Sequence, residues 1–255
     1  MLHTQEWRTH DIHHHQHYSV GLALNAHEVK EAQRLRYRVF VEELGARIQT
    51  RVPGVDADIH DPYCEHLIVR DTSNAGAGKV VGTYRILTPE AACRVGNYYS
   101  ETEFDLTRLR YLRDGMLEVG RSCIHPDYRN GTVIALLWSR LAEFMTRHGY
   151  RHLIGCASIS MADGGHNAAN LYMQLQNTHL APLEYRVFPR EPLPFERLAT
   201  GRAAAIPPLL KGYLRAGAWV CGEPAWDADF NTADLPLLLP MSRLTPRYAR
   251  HFVRD

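Results

Sequence analysis

Residues 116 to 176 constrain the fold of this chain more than any other stretch. Met116–Ile124 is apolar enough for a buried strand, and after a turn at His125–Gly131 the apolar spacing changes. Val133, Ile134, Leu136, Leu137, Leu141, Phe144 and Met145 then line one side of a helix predicted over Thr132–His148, stopped by Gly149. A strand over His152–Ser158, a loop rich in Gly and Asp, and a helix from about Asn167 to Gln176 follow. Strand, helix, strand, helix in that order predicts two parallel strands, because the connection crosses over through a helix. The fold class is therefore α/β.

The flanking sequence adds elements to that frame. Asn25-Ala-His-Glu28 reads as a capping box for a helix running to Gly45. Val29, Ala32, Leu35, Val39, Phe40 and Leu44 form its apolar face, with Arg34 and Arg38 on the other side. Arg36 lies beside the apolar stripe, an awkward place for a charge without a partner. After a Pro/Gly/Asp-rich connection from Val52 to Pro62, strands His66–Asp71 and Lys79–Leu87 form a hairpin through Thr72–Gly78. Pro89–Leu109 reads as irregular with a short helix, Pro207–Ala216 as a short amphipathic helix, and Leu235–Leu239 as a buried strand. Residues 1–20, with His13, His14, His15 and His17, lack periodicity and read as a mobile His-rich tail. Residues 21–255 read as one domain with an elaborated C-terminal part.

Composition excludes several function classes. Of 255 residues 45% are hydrophobic and 22% charged, a profile that buries a core and is not that of a disordered chain. No run approaches the roughly 18 apolar residues of a membrane-spanning helix, and the first residues lack the apolar stretch of a secretory signal. A net charge of +1 speaks against bulk nucleic-acid binding. Only Lys30, Lys79 and Lys211 are lysines among 29 basic residues. Arginine suits phosphate and carboxylate ligands, although a GC-rich genome gives the same bias. Five cysteines without a C-x-x-C pair fit a reducing cytosol and no zinc site, and no metal is expected. Phosphate-loop, dinucleotide-binding, nucleophile-elbow and zincin motifs are absent.

The informative motif is Leu117-Glu118-Val-Gly-Arg121-Ser-Cys-Ile-His-Pro126-Asp-Tyr-Arg129-Asn-Gly131. Glu118 and Arg121, three apart on a strand, point to opposite faces unless the strand bulges, and Gly120 is the residue a bulge would use. Arg129-Asn-Gly131 leads into a helix N-terminus, a turn suited to phosphate. With Arg36-Tyr-Arg-Val39-Phe40, Asp56, Asp58, Asp61 and Gly82-Thr-Tyr-Arg85, the pattern resembles the GNAT-like acyltransferase fold of the acyl-homoserine-lactone synthases. It resembles the ornithine-lipid synthases (L-ornithine Nα-acyltransferases) more closely, in LRYRVFVEELGA, VVGTYRIL, EVGRSCIHPDYR, IGCAS, PPLLKGYLRAGAWV and LLLPMSRL.

That resemblance implies a mixed central sheet flanked by helices, and transfer of a 3-hydroxyacyl group from acyl carrier protein to the α-amine of L-ornithine. The product would be lyso-ornithine lipid. The donor would ride on the carrier's phosphopantetheine, with no bound cofactor. The implied catalytic residues are Glu118, Arg121 and Arg85, with Glu118 taking the amine proton. Arg36, Phe40, Asp58 and Asp61 would bind the acceptor, and Cys123, Ile124, Arg129, Gly131, Thr132 and Ser158 the donor. The implied setting is cytoplasmic, with a peripheral contact to the inner membrane as an open question.

Rival readings remain at this stage. The acceptor could be S-adenosylmethionine or glutamine, or the chain could be a non-catalytic carrier- or lipid-binding module. Glu118 could pair structurally with Arg121 or Arg85, and Phe40 could be core. Arg108, Arg110 and Arg113 form a candidate carrier-docking patch, and Ile206–Trp219 is either an interfacial helix or a buried one.

Overall fold

Asn25 opens the first helix as the sequence predicts. Its side-chain oxygen accepts from the backbone N–H groups of His27 (3.0 Å) and Glu28 (3.1 Å). Glu28 reaches back past the cap to the N–H of Leu24 at 2.6 Å. In the computed structural model, which describes residues 13–15, 17–73 and 78–244, α1 spans Ala26–Tyr37 and passes into a π-helical segment, Arg38–Glu43. The uniform helix to Gly45 is thus corrected. The Leu44 N–H bonds the Val39 carbonyl, five residues back, and Gly45 ends the segment at φ +76°.

The strands in chain order are β1 (His13–His15), β2 (Tyr18–Leu22), β3 (Glu65–Asp71), β4 (Lys79–Leu87), β5 (Phe104–Asp105), β6 (Met116–Ile124), β7 (His152–Ser160), β8 (Phe188–Pro189), β9 (Trp219–Val220), β10 (Ala225–Asp227) and β11 (Thr232–Pro240). Helices after α1 are α2 (Pro89–Val95), α3 (Thr132–His148), α4 (His166–Leu175), α5 (Phe195–Leu198) and α6 (Pro208–Ala216). The β6 and α3 boundaries agree with the sequence reading. Pairing of β1 and β2 with the sheet begins at His13, which corrects the tail boundary drawn at residue 20. The tail's first twelve residues lie outside the described residues, as do residues 74–77 of the predicted hairpin turn.

Where the sequence suggests one domain, the chain's contacts divide it into two compact units. The first contains residues 1–87 and 119–148. Its strand order is β1-β2-β3-β4-β6, with antiparallel pairing from β1 through β4. Below α1, buried Ala23, Ala32, Leu35, Val39, Ile68, Val80 and Cys123 form a core against which Val29 and Phe40 pack. Helix α3 packs on β3 and β4. Gly82 makes this approach possible, because a β-carbon there would collide with Val133 Cγ1.

The second unit contains residues 88–118 and 149–251. Here Met116–Glu118 of β6 pairs with His152–Ile154 of β7 in parallel, as the strand–helix–strand order predicts. Strand β11 then runs antiparallel to β7 from Thr232↔Ser160 to Pro240↔His152. The predicted five-residue strand therefore extends to nine residues. Helix α6 buries Leu210, Tyr213, Leu214 and Ala216 within this unit and exposes Lys211 and Arg215. Its apolar face is core, which decides against an interfacial helix. No helix among the described residues is long and apolar enough to cross a membrane.

Gly82→Ala should lower unfolding stability by about 1–3 kcal/mol, the usual cost of overpacking a filled core. Urea unfolding measures it, and an unchanged midpoint would show that α3 can retreat from β4.

Candidate active site

The first unit gathers most of the predicted residues around one buried guanidinium. Arg36 projects from α1 and is wholly excluded from solvent. Its Nε donates to Asp56 Oδ2 at 2.8 Å, and Nη1 and Nη2 donate to the two oxygens of Asp61, both at 2.8 Å. Nη2 also bonds the Asp56 carbonyl. This satisfies the fork geometry of guanidinium with carboxylate, without which burying the charge would be prohibitive.

Asp58 joins two further arginines to this pair. Arg85 Nη1 of β4 donates to Asp58 Oδ2 at 2.6 Å, and Arg121 Nη2 of β6 reaches the same oxygen at 3.2 Å. Arg121 Nε lies 3.4 Å from Asp56 Oδ2. Three arginines thus face three aspartates, and the network is neutral as a whole. Burial alone would raise the Asp58 and Asp61 carboxyls, but the charges of Arg85 and Arg121 on Asp58, and of Arg36 on Asp61, hold both well below the usual carboxylate range. His66 Nε2 approaches the Asp61 carbonyl at 3.2 Å, and burial lowers its basicity.

Arg121 pays a conformational cost for its position. Its φ is +51°, in the left-handed region that costs a non-glycine residue about 1–2 kcal/mol. The sequence reading gave the irregularity to Gly120; the structure gives it to Arg121. The predicted acceptor residues Arg36, Asp58 and Asp61 meet here with Arg85 and Arg121. Phe40 instead packs against the core under α1. The Cys123 side chain is in the same core, and burial pushes its thiol far up.

Around the turn before α3, Arg129 binds Glu43 through both nitrogens, at 2.5 and 2.7 Å, and its Nε donates to the Ile124 carbonyl at 3.1 Å. Gly131 has φ +96° and is exposed with Thr132, whose N–H is taken by Asn130 Oδ1 at 3.0 Å. Arg129 is therefore an arginine already holding a carboxylate, not a bare charge.

Glu118 and Ser158 belong to the second unit. Glu118 is 4% exposed, and its carboxylate accepts from the N–H groups of Tyr99 (2.6 Å) and Ser100 (2.7 Å) and from the Ser100 hydroxyl. These donors belong to the start of a 3-10 turn, Tyr99–Thr102, which is tied to β6 by a 2.7 Å bond from Tyr98 Oη to the Met116 carbonyl. Three donors fix the direction of the carboxylate.

Sequence reasoning missed what lies beyond Ser100. Its hydroxyl is 3.6 Å from Cys156 Sγ. Asp234 accepts from the Thr232 hydroxyl at 3.2 Å, while both carboxylate oxygens of Glu103 are buried without a hydrogen-bond partner. Glu103, Asp227 and Asp234 bring carboxylate oxygens within 4.8 Å of one another, close enough to hold a cation. No metal was expected from sequence, and this carboxylate set is the group able to hold one among the described residues. Burial, then Asp234 and Asp227, pushes the Glu103 carboxyl up, and burial lifts Asp234 to about 6. The one sequence signal was Asp234 standing at the head of an apolar run.

The arginine patch predicted for carrier docking is largely spoken for. Arg108 donates to the Leu183 carbonyl at 3.0 Å and lies over the Phe188 ring, and Arg113 pairs with Glu101 over the Tyr98 ring.

A family model for the GNAT acetyltransferase domain matches residues 35–139. Structural likeness agrees: the acyl-homoserine-lactone synthase LasI superposes with a TM-score of 0.54 at 12% identity, covering 94% of this chain and 98% of LasI. FeeM, an N-acyl amino acid synthase from uncultured soil microbes, gives 0.51 at 11% identity, over 89% of this chain and 93% of its own. The fold is that of the GNAT-type acyltransferases. An L-ornithine N(alpha)-acyltransferase of Rhodobacter capsulatus is 37% identical over 251 residues, 93% of this chain and 95% of the relative. One of Brucella abortus is 35% identical over 91% and 88%. The chain belongs to the L-ornithine N(alpha)-acyltransferase family.

Arg36→Met should cost about 3–5 kcal/mol in urea unfolding, because Asp56 and Asp61 are left buried without their counter-charge. A loss below about 1 kcal/mol would show that the aspartates take up protons or water at little cost.

Asp234→Asn tests the carboxyl cluster through pH. The folded-state proton affinity of Asp234 is raised, so its stabilising contribution is complete below the unfolded value of 3.8 and disappears as pH rises through about 6. Thermal unfolding should therefore shift in favour of the variant, relative to the parent, between about pH 4 and pH 7.5. A constant difference would rule out the raised proton affinity.

Proposed function

We propose that this enzyme transfers a 3-hydroxyacyl group from the phosphopantetheine thioester of acyl carrier protein to the α-amine of L-ornithine, forming lyso-ornithine lipid. The observation that carries this reading is the 35–37% identity, over at least 91% of the chain, to four relatives that bear the ornithine acyltransferase name. In the reaction the neutral α-amine attacks the thioester carbonyl, the amine loses a proton, and the carrier's thiolate leaves. An α-amine with pKa of about 8 is mostly protonated at pH 7, so a modest base suffices. Glu118, fixed by three donors, accepts that proton directly or through a water.

The acceptor carries a carboxylate and two amines, and charge complementarity favours the Arg–Asp network of the first unit. Asp58 is its reachable acid, 22% exposed where Asp56 and Asp61 are 3%. Arg85 and Arg121 hold it in place. Ile124, Gly131 and Thr132, with Arg129 exchanging Glu43 for phosphate, receive the donor's phosphopantetheine at the start of α3. The enzyme works in the cytoplasm and hands its lipid product to the inner membrane by peripheral contact.

Purified protein supplied with 3-hydroxyacyl carrier protein should acylate L-ornithine in preference to L-glutamine or S-adenosylmethionine, read by mass spectrometry of the product. A homoserine-lactone product, or no acylated amine at all, would overturn the reading. Within the active enzyme Glu118→Gln should reduce turnover about 10²- to 10⁴-fold, with the deficit shrinking at high pH as the α-amine loses its proton unaided. Near-normal turnover at pH 7 would end the base assignment.

A further inference from the structure

On the first unit, α1, the start of β4 and the residue after β6 enclose a cavity of about 220 Å³. Arg34 and Arg38, one turn apart on the same face of α1 and its π extension, enter it from one side, and Lys79 from another. At its floor is His125, 7% exposed, whose N–H bonds the Val81 carbonyl and so fixes the ring at the end of the sheet.

The charges in this cavity do not balance. Arg38 Nη1 lies 3.2 Å from His125 Nε2, and Lys79 Nζ lies 2.9 Å from the same atom. A ring nitrogen offers one lone pair, so it can satisfy one of these cations at a time. Glu31 is the acid of the lining, and it is already committed to Arg70 Nη2 at 2.6 Å, with His27 at 3.6 Å. Among the described residues no carboxylate lies within 4.0 Å of Arg34, Arg38 or Lys79. Three cations thus converge on a concave site whose neutral imidazole cannot compensate them.

We propose that this cavity is an anion site for a phosphoryl group, distinct from the Arg129–Gly131 stretch at the start of α3 although His125 opens the same turn. Two guanidinium forks and an ammonium present more donors than a carboxylate's two oxygens can accept, whereas the oxygens of a phosphoryl group can engage all three. His125 completes the site through Nε2, which can face an oxygen once the cations turn to the anion, while Nδ1 stays with Asp127, whose N–H lies 3.4 Å and Oδ2 3.6 Å away. The same chemistry can come from the phosphopantetheine of a thioester donor, from a phospholipid headgroup, or from free phosphate. The inference does not depend on the acyl-transfer reading.

Titration calorimetry with inorganic phosphate tests it on the full-length protein. The parent should bind one phosphate, and Arg38→Gln/Lys79→Met should weaken binding about 10- to 150-fold, as expected for losing a charge-assisted contact. Lys79→Arg should retain it, showing that the charge matters and not the fold. Undiminished binding in the double variant, or no binding to the parent, would overturn the site. Competition then identifies the source: displacement of phosphate by 4′-phosphopantetheine assigns a thioester donor, displacement by phosphatidate vesicles assigns a lipid headgroup, and displacement by neither assigns free phosphate.

Discussion

A single buried positive charge organises the first unit. Arg36 sits on the apolar side of α1, where a guanidinium is tolerated only if every donor finds an acceptor. Asp56 and Asp61 supply that, and both come from the irregular loop before β3. The loop is held by these ion pairs together with the buried side chains of Ala46 and Val55. Asp58 is carried along and meets Arg85 and Arg121, which extends the constraint to β4 and β6. Burial and charge oppose each other at Asp58 and Asp61, and charge wins.

The second unit follows the opposite logic. Glu103 and Asp234 have no basic partner among the described residues, so burial prevails and raises the proton affinity of both. Glu118, also in this unit, is held by backbone N–H groups and the Ser100 hydroxyl. Two kinds of carboxyl thus coexist in one enzyme, one held ionised by arginines and one whose proton affinity burial raises. Acid–base chemistry needs that separation of proton affinities.

Much of the frame was legible in the sequence because it rests on local pattern. Strand β6 and helix α3 follow from apolar spacing and a terminal glycine, and Arg36 was visible as a misplaced charge on an amphipathic helix. The π-helical turn was not, since one extra residue in a turn leaves the apolar pattern almost unchanged. The left-handed residue in β6 was assigned to Gly120 on conformational freedom, whereas the pull of Asp56 and Asp58 on Arg121 decides it. The Glu103–Asp227–Asp234 cluster was invisible because Glu103 lies more than a hundred residues before the other two. The contacts of Arg108 were hidden for the same reason: residues 183 and 188 lie far along the chain.

Asp58 also has a consequence for the order in which the chain can assemble. The Arg36 contacts span 20 to 25 residues and can close early. The Asp58 contacts reach Arg85 and Arg121 across 27 and 63 residues, so they form only after β4 and β6 have come together. The loop before β3 is thus anchored twice, first locally and then by strands made later. Its second anchoring is a checkpoint: Asp58 takes its final place only in a chain whose central strands are already paired.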